Sequence, residues 1–324
     1  MHYTTAFHKS NCKKCATMLE CAKVMIMKPQ LRGSICLLLA TIIWGSTFVA
    51  QSVGMDYIGP FTFQAVRCGL AVIGLLPLIY IMDKKSGRSF RKEWANKQLW
   101  IGGLLCALPL FFAANLQQVG IVSTGAGKSA FLTAMYIVFV PILGLFVGRK
   151  LSPIVPVSVV LAVVGLYLLS CVGVTQIQLG DILLLLCALM FAVQIIFVDR
   201  FAPSVDPLRL NCLQAGFCAV ASGIIAVFAE TVTVPNLLDC WLPLCYAGFL
   251  SMGAAYSLQI IGQKHLEPSA ASLIMSLESV FAVLFGWLLL KETMTTWEAI
   301  GCVLVFIAVI LSQINIPNKK KSLS

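Results

Sequence analysis

Long apolar runs separated by short polar stretches dominate the chain, and ten of them have the length of a membrane-crossing helix. A helix rises about 1.5 Å per residue, so roughly 20 apolar residues span the hydrocarbon of a bilayer. The runs cover 31–53, 58–82, 98–119, 124–147, 154–173, 180–199, 208–230, 241–263, 268–290 and 296–316. Connections are short except 83–97, so no soluble domain of any size is expected. The pattern predicts an all-α integral membrane protein of ten transmembrane helices.

The ten runs fall into two related sets of five. A shift of 147 lays Trp44-Gly45 on Phe191-Ala192, and Phe63, Arg67 and Gly69 on Leu210, Gln214 and Gly216. A shift of 142 lays Ala113, Leu116, Gln117 and Gly120 on Ala255, Leu258, Gln259 and Gly262. An odd number of spans per set forces the second to enter the membrane from the opposite face. The expected architecture is two inverted five-helix repeats, 31–174 and 178–316, flanked by a disordered tail (1–30) and a basic tail (317–324). Inverted repeats around a midplane site are how many secondary carriers reach alternating access.

Composition agrees: 59% of residues are hydrophobic and 11% charged, against about 25% charged in soluble domains. The net charge of +10 invites a nucleic-acid reading, but its placement excludes one. With both termini inside, the basic residues gather on cytoplasmic segments, from Lys9 to Arg32, Lys84 to Lys97, Arg149-Lys150, Arg200, Arg209, Lys264 and Lys319 to Lys321. The outer loops hold Asp56, Asp181, Glu230, Asp239, Glu292 and Glu298. This is the positive-inside rule, and it predicts a multi-pass protein of the inner (cytoplasmic) membrane with both termini cytoplasmic. Most of the 13 cysteines lie in apolar spans, where Cys is a small hydrophobe. His8, Cys12, Cys15 and Cys21 in the first tail have zinc-ligand chemistry, but one Cys-x-x-Cys without a second pair is weak, and no metal or cofactor is expected. The tail has no apolar h-region, so the first span is read as uncleaved, and Met27-Lys28 would itself serve as a start.

Several motifs together resemble the drug/metabolite transporter superfamily, in its EamA-type ten-span branch. They are Trp44-Gly45-Ser46-Thr47-Phe48, Arg67, Gly127 to Thr133 with Pro141, and Ser276 to Ala282 followed by Lys291-Glu292. The similarity covers nearly everything from residue 31. It implies a carrier of small metabolites with a central cavity between the halves. Two departures stand out: Ser279 replaces the proline usual after the ninth-span glutamate, which puts a kink there in doubt, and Arg149-Lys150 replaces an acidic end of the fourth span.

Charges inside a bilayer cost roughly 2.5–3.5 kcal/mol each at the centre, so each needs a reason. Loop assignment leaves three: Arg67, Lys128 and Glu278. Arg67 and Glu278 fall at similar depth near the midplane. One reading is a structural ion pair between the second and ninth spans; the other has Glu278 facing a cavity, taking a proton or meeting a cationic group of the solute. Lys128, near the outer end of the fourth span, either snorkels to the interface or meets an anionic group. The surrounding Ser123–Ser129 stretch looks like a phosphate loop and is not one, because Val122 stands where a Walker A needs glycine. Trp44 sits mid-span beside small residues, as a cavity wall or a packing contact. Gln117, Tyr136, Gln194, Tyr256 and Gln259, with Gln64, Asn115 and Asn211, must find partners in protein or a wet cavity. Each alone reads as an interhelical bond; together they are too many for a dry bundle. Pro77, Pro109 and Pro141 free backbone carbonyls within spans, in gating or merely structural kinks.

The expected function is secondary transport of a small metabolite, amino-acid-like solute or drug, without ATP, with a small-molecule substrate and the lipid bilayer as partners and no nucleic acid. A monomer is expected, with a homodimer left open. The rival is a membrane-embedded enzyme acting on a lipid-linked substrate, which lacks here the clustered carboxylates, histidines or metal spacing it would need. A channel would rely on symmetric assembly or a filter loop, and neither is visible in the sequence.

Overall fold

The structure is a computed structural model of the 324-residue chain and describes residues 29–170, 178–290 and 295–313. The tail cysteines and histidine, Lys291-Glu292 and the segment 317–324 lie outside the described residues. Every regular element among the described residues is helical. The ten main helices are α1 (Pro29–Gly54), α2 (Pro60–Ser86), α3 (Lys97–Thr124), α4 (Ala126–Ala134 and Tyr136–Phe146), α5 (Ile154–Ser170), α6 (Leu179–Phe201), α7 (Pro207–Ala229), α8 (Trp241–Gln263), α9 (Pro268–Met275 and Leu277–Leu290) and α10 (Thr296–Ser312). Eight are long and apolar enough to cross a membrane; α5 and α10 are shorter apolar helices. Proline is the first residue of α2, α7 and α9. That position needs no backbone donor and suits the fixed proline φ. Pro29 and Gln30, inside the stretch expected to be tail, are already helical.

Packing follows the duplication. α3 lies against α6 as α8 lies against α1; α3 meets α7 as α8 meets α2; α4 meets α6 as α9 meets α1. The remaining principal contacts, α2 with α7, α5 with α10 and α4 with α9, pair each helix with its own counterpart. In the last pair Tyr136–Phe146 meets Pro268–Met275, and Ala126–Ala134 meets Leu277–Leu290, an antiparallel crossing. Each half contributes five helices, so the second half runs head-to-toe to the first. We call the face where α1 begins and α10 ends the terminal face, and the other the far face.

The repeat extends to individual contacts. Near the terminal face a Cβ on Gly33 would lie 2.8 Å from the Gly262 carbonyl; near the far face a Cβ on Gly180 would lie 2.9 Å from the Gly120 carbonyl. These are the same contact under the sequence shifts of 147 and 142, and both rely on small residues for close helix approach. Asp83 and Glu230 are likewise equivalent. Glu230 accepts hydrogen bonds from the Phe61 and Thr62 amides at 2.9 and 2.8 Å and from the Thr62 hydroxyl at 2.6 Å. It thereby caps the N-terminus of α2, which also favours negative charge. Asp83 meets the start of α7 instead through an ion pair with Arg209, and Asp206 joins it at 3.2 Å from Arg209. Arg209 and Asp83 are both almost fully buried. This corrects the loop assignment of Arg209: the chain does carry buried charges beyond the three expected, and they are paired.

The expected proline kinks are redistributed. α2 and α3 run unbroken through Pro77 and Pro109. α4 is interrupted at Met135, where the Met135 and Val138 amides bond three residues back, to Leu132 at 3.3 Å and Met135 at 3.0 Å. Pro141 removes the next donor along this strip. α9 is interrupted at Ser276 although no proline stands there. The Ser276 hydroxyl bonds the Leu273 carbonyl at 2.8 Å and the Ser279 hydroxyl the Ala130 carbonyl of α4 at 2.8 Å. Hydroxyls competing for backbone carbonyls bend helices, so serine supplies what the missing proline would. α8 holds a feature with no sequence signal, a π-helical stretch over Tyr246–Ala255. The Asn211 amide donates to the Met252 and Gly253 carbonyls within it, each at 2.9 Å.

Two measurements check this packing. A Cβ at Gly45 would stand 2.4 Å from Phe281 Cβ and 2.8 Å from the Ala282 amide nitrogen, whereas one at Gly69 would meet nothing within 4 Å. Gly45→Val should lower the melting temperature of detergent-purified protein sharply, by about 1–3 kcal/mol or more of overpacking, and Gly69→Ala should leave it unchanged or raised. Asp83→Ala leaves the buried Arg209 guanidinium with Asp206 as its remaining carboxylate and should cost up to about 3–5 kcal/mol; the Asp83→Ala, Arg209→Met double variant should recover part of that loss in the same melts.

Candidate functional site: a central cavity between the halves

Helical spacing builds the site. Trp44, Thr47, Phe48 and Gln51 form one stripe of α1, and pairs three or four apart continue it: Thr133 and Tyr136, Phe191 and Ile195, Tyr256 and Gln259, Met275 and Glu278. Residues so spaced share a helix face within α6 and α8, whereas Thr133 with Tyr136 and Met275 with Glu278 stand on the two sides of the breaks in α4 and α9. Together with Arg67, Gln117 and Ser251 they line a partly open cavity, with about 460 Å³ of empty space when its open mouth is included. Seven helices contribute, from both halves. The breaks at Met135 and Ser276 flank it, so Tyr136 and Glu278 leave their helices just past each interruption. Ser251 lies on the π-helical stretch, and Tyr246 of the same stretch is 2.5 Å from the Ser46 hydroxyl.

Arg67 and Glu278 both line this cavity, and no ion pair joins them among the described residues. The Arg67 guanidinium donates through Nη1 to Gln51 Oε1 at 2.6 Å and through Nε to Gln64 Oε1 at 2.7 Å. It also stands 5.9 Å from the centre of the Phe63 ring. All these partners are neutral. Glu278 accepts one hydrogen bond, from the Tyr136 hydroxyl at 3.0 Å. The pair reading is therefore replaced by a guanidinium and a carboxyl group held separately. Arg67 and Glu278 are 3% and 5% exposed, so bulk water does little to screen either.

The other expected residues divide. Trp44 packs edge-on against Tyr256, ring centres 5.0 Å apart, and its indole Nε1 is buried without a partner among the described residues. Gln117 donates to the Thr133 hydroxyl at 3.2 Å. Gln259 donates to Gln194 Oε1 at 3.1 Å, leaving Gln259 Oε1 unpartnered. Gln194 is fully buried behind Gln259 and does not itself line the cavity. Lys128 is also absent from the lining: its ammonium lies 2.6 Å from Asp181 Oδ2, in the first turn of α6. That is neither snorkelling nor solute contact, and it moves Asp181 from an outer loop into the protein. At the terminal face Arg149 pairs with Asp199 and lies 3.2 Å from Glu267. α4 and α6 are thus tied by an ion pair at each end.

Sequence reasoning missed Gln51, Thr47, Phe48, Thr133, Phe191, Ile195, Ser251 and Met275. The α1 stripe was readable, because Trp44, Thr47 and Gln51 fall three and four apart. Ser251 had no readable signal, because a widened helix changes which residues face inward.

The EamA-like transporter family model matches residues 31–171 and again 178–313. The chain belongs to the EamA-like transporter family, within the drug/metabolite transporter superfamily. It is 32% identical over 288 residues to an "Uncharacterized transporter" of Archaeoglobus fulgidus, covering 89% of this chain and 87% of that protein. It is 24% identical to the "Uncharacterized transporter YoaV" of Bacillus subtilis, over 86% of this chain and 96% of that one. A solved structure titled "Crystal structure of protein" superposes with a TM-score of 0.72 at 15% identity, covering 87% of this chain and 96% of its own. This EamA-family chain is a multi-pass membrane transporter acting on a small-molecule substrate, not an enzyme.

A double-mutant cycle tests the separation of the two central charges. Arg67→Met and Glu278→Gln, singly and together, should show a coupling in thermal stability below about 1 kcal/mol, against the several expected when one member of a contacting buried pair is removed.

Proposed function

We propose that this EamA-family protein is a secondary transporter that moves a small solute by alternating access, without ATP hydrolysis. The observation that carries this reading is one partly open cavity with polar and aromatic lining, whose wall is drawn from both of two head-to-toe halves. Trp44, Gln117, Tyr136, Tyr256 and Gln259 form the solute site, with Gln194 orienting the Gln259 amide. Arg67 and Glu278 supply its charge. The halves, 31–174 and 178–316, rock about the cavity, and the interruptions of α4 and α9 let their half-helices tilt independently. Lys128–Asp181 and Arg149–Asp199 support movement of α4 with α6 as one body. The distribution of basic residues supports a cytoplasmic-membrane protein with the terminal face inside, operating as a monomer because the cavity is complete within one chain.

Reconstituted vesicles loaded with an unlabelled metabolite extract should take up the same labelled pool in saturable counterflow that protein-free vesicles lack. Flux that rises linearly with concentration, or equals the protein-free control, would remove the carrier reading. In the same assay Glu278→Gln should reduce exchange about tenfold or more while leaving the melting temperature within a degree or two, because the amide still accepts from Tyr136.

A further inference from the structure

We infer that Asn211 is a positioning residue of the solute site: from α7 it holds α8 in its π-helical register, and that register presents the Ser251 hydroxyl to the cavity. This deepens the carrier reading above and rests on it. The Tyr256 amide bonds the Ser251 carbonyl, five residues back, which is the π-helical spacing. On an α-helix, at about 100° per residue, Ser251 would stand about 140° around the axis from Tyr256, and Met252 only about 40° from it. An α-helical α8 that kept Tyr256 and Gln259 at the cavity would therefore bring Met252 beside them. The widened helix does the opposite. Ser251 lines the cavity, while Met252 is 1% exposed and packs in the core.

Asn211 meets the backbone of this stretch directly. Its Nδ2 stands 2.9 Å from the Met252 carbonyl, the Gly253 carbonyl and the Ser257 hydroxyl, three acceptors for two hydrogens. Gln214 Nε2 donates to Asn211 Oδ1 at 2.9 Å and so fixes which way the amide faces. Both side chains are fully buried. The first half supplies an internal control, because the shifts of 147 and 142 lay Gln64 on Asn211 and Pro109 on Ser251. The Gln64 amide donates to Cys68 Sγ, one turn along its own helix, at 3.3 Å, and its carbonyl accepts from Arg67. Among the described residues it bonds nothing on α3, which runs as one α-helix from Lys97 to Thr124 and gives the cavity only Gln117. Where the amide crosses to the neighbouring helix, in the second half, that helix widens and Ser251 joins the lining. Return to an α-helix would exchange a hydroxyl for a thioether in the wall. Asn211 thus sets the polarity that a solute meets on this side.

Substituted cysteines read the register. Full-length protein carrying Ser251→Cys or Met252→Cys is treated with 2-aminoethyl methanethiosulfonate, and label on α8 is measured by mass spectrometry against the unsubstituted protein, which accounts for Cys240 and Cys245. Position 251 should label about tenfold or more faster than 252, since a thiol reacts where it is accessible. Asn211→Leu, similar in size but without a donor, should reverse that order; if it does not fold, Asn211→Ser, with a single shorter donor, repeats the comparison. In counterflow of the labelled metabolite pool, Asn211→Leu and Ser251→Ala should each raise half-saturation about threefold or more with little change in maximal rate, and the double variant no further. Faster labelling of 252 with Asn211 in place, or an order that survives its replacement, would overturn the inference. So would a fall in maximal rate at unchanged half-saturation, the mark of a merely structural residue. The labelling needs no transport, so failure of every pool to exchange would sink the carrier reading while the register is still decided.

Discussion

An arginine buried in the middle of a membrane protein without a carboxylate against it is the constraint around which the centre is organised. Water cannot solvate it, and lipid offers nothing. Its orientation falls to Gln51 and Gln64, which fixes those glutamines at one depth on α1 and α2 and places the crossing of these helices beside α8. Glu278 imposes a matching demand on the other side through Tyr136. Neither charge can slide toward the other while its neutral partners hold it. The cavity is the space so kept open.

Symmetry and asymmetry divide the labour. The features that repeat between halves are those that build the bundle: glycine approaches at Gly33–Gly262 and Gly120–Gly180, and acidic residues closing on the starts of α2 and α7. The charges that do not repeat, Arg67 and Glu278, sit in the cavity. Duplication explains a two-faced scaffold whose halves can exchange roles, and departures from it mark the places where the scaffold is used. The α4–α6 pair carries a further departure, with ions at both ends, where the equivalent pair α1 and α9 meets through Gly45 set against the backbone of α9.

The interruptions of α4 and α9 show how local chemistry can be replaced without loss of shape. One lies just ahead of a proline and the other among serines, yet both put a polar side chain at the cavity within three residues of the break. The π-helical stretch of α8 serves the same end by a third route, and its freed carbonyls are met by Asn211. Irregular backbone at membrane depth is tolerated only where protein or a cavity satisfies it, so three such irregularities around one space belong to one design.

Read alone, the sequence determined the solvent, the number of crossings and the duplication. Each depends only on stretches of about 20 apolar residues and on spacing along the chain, which local composition records. It also named Trp44, Gln117, Tyr136, Tyr256, Gln259, Arg67 and Glu278, because a polar or charged group in an apolar run is conspicuous wherever it points. Partnership was decided by the tertiary structure. Arg209 read as a loop cation and is buried against Asp83; Lys128 read as snorkelling or meeting an anionic group of the solute and is held by Asp181; Arg67 and Glu278 read as candidates for each other and are held apart. Those outcomes depend on residues up to 142 positions distant meeting at one depth, and hydropathy carries no information about which face of a helix meets which neighbour.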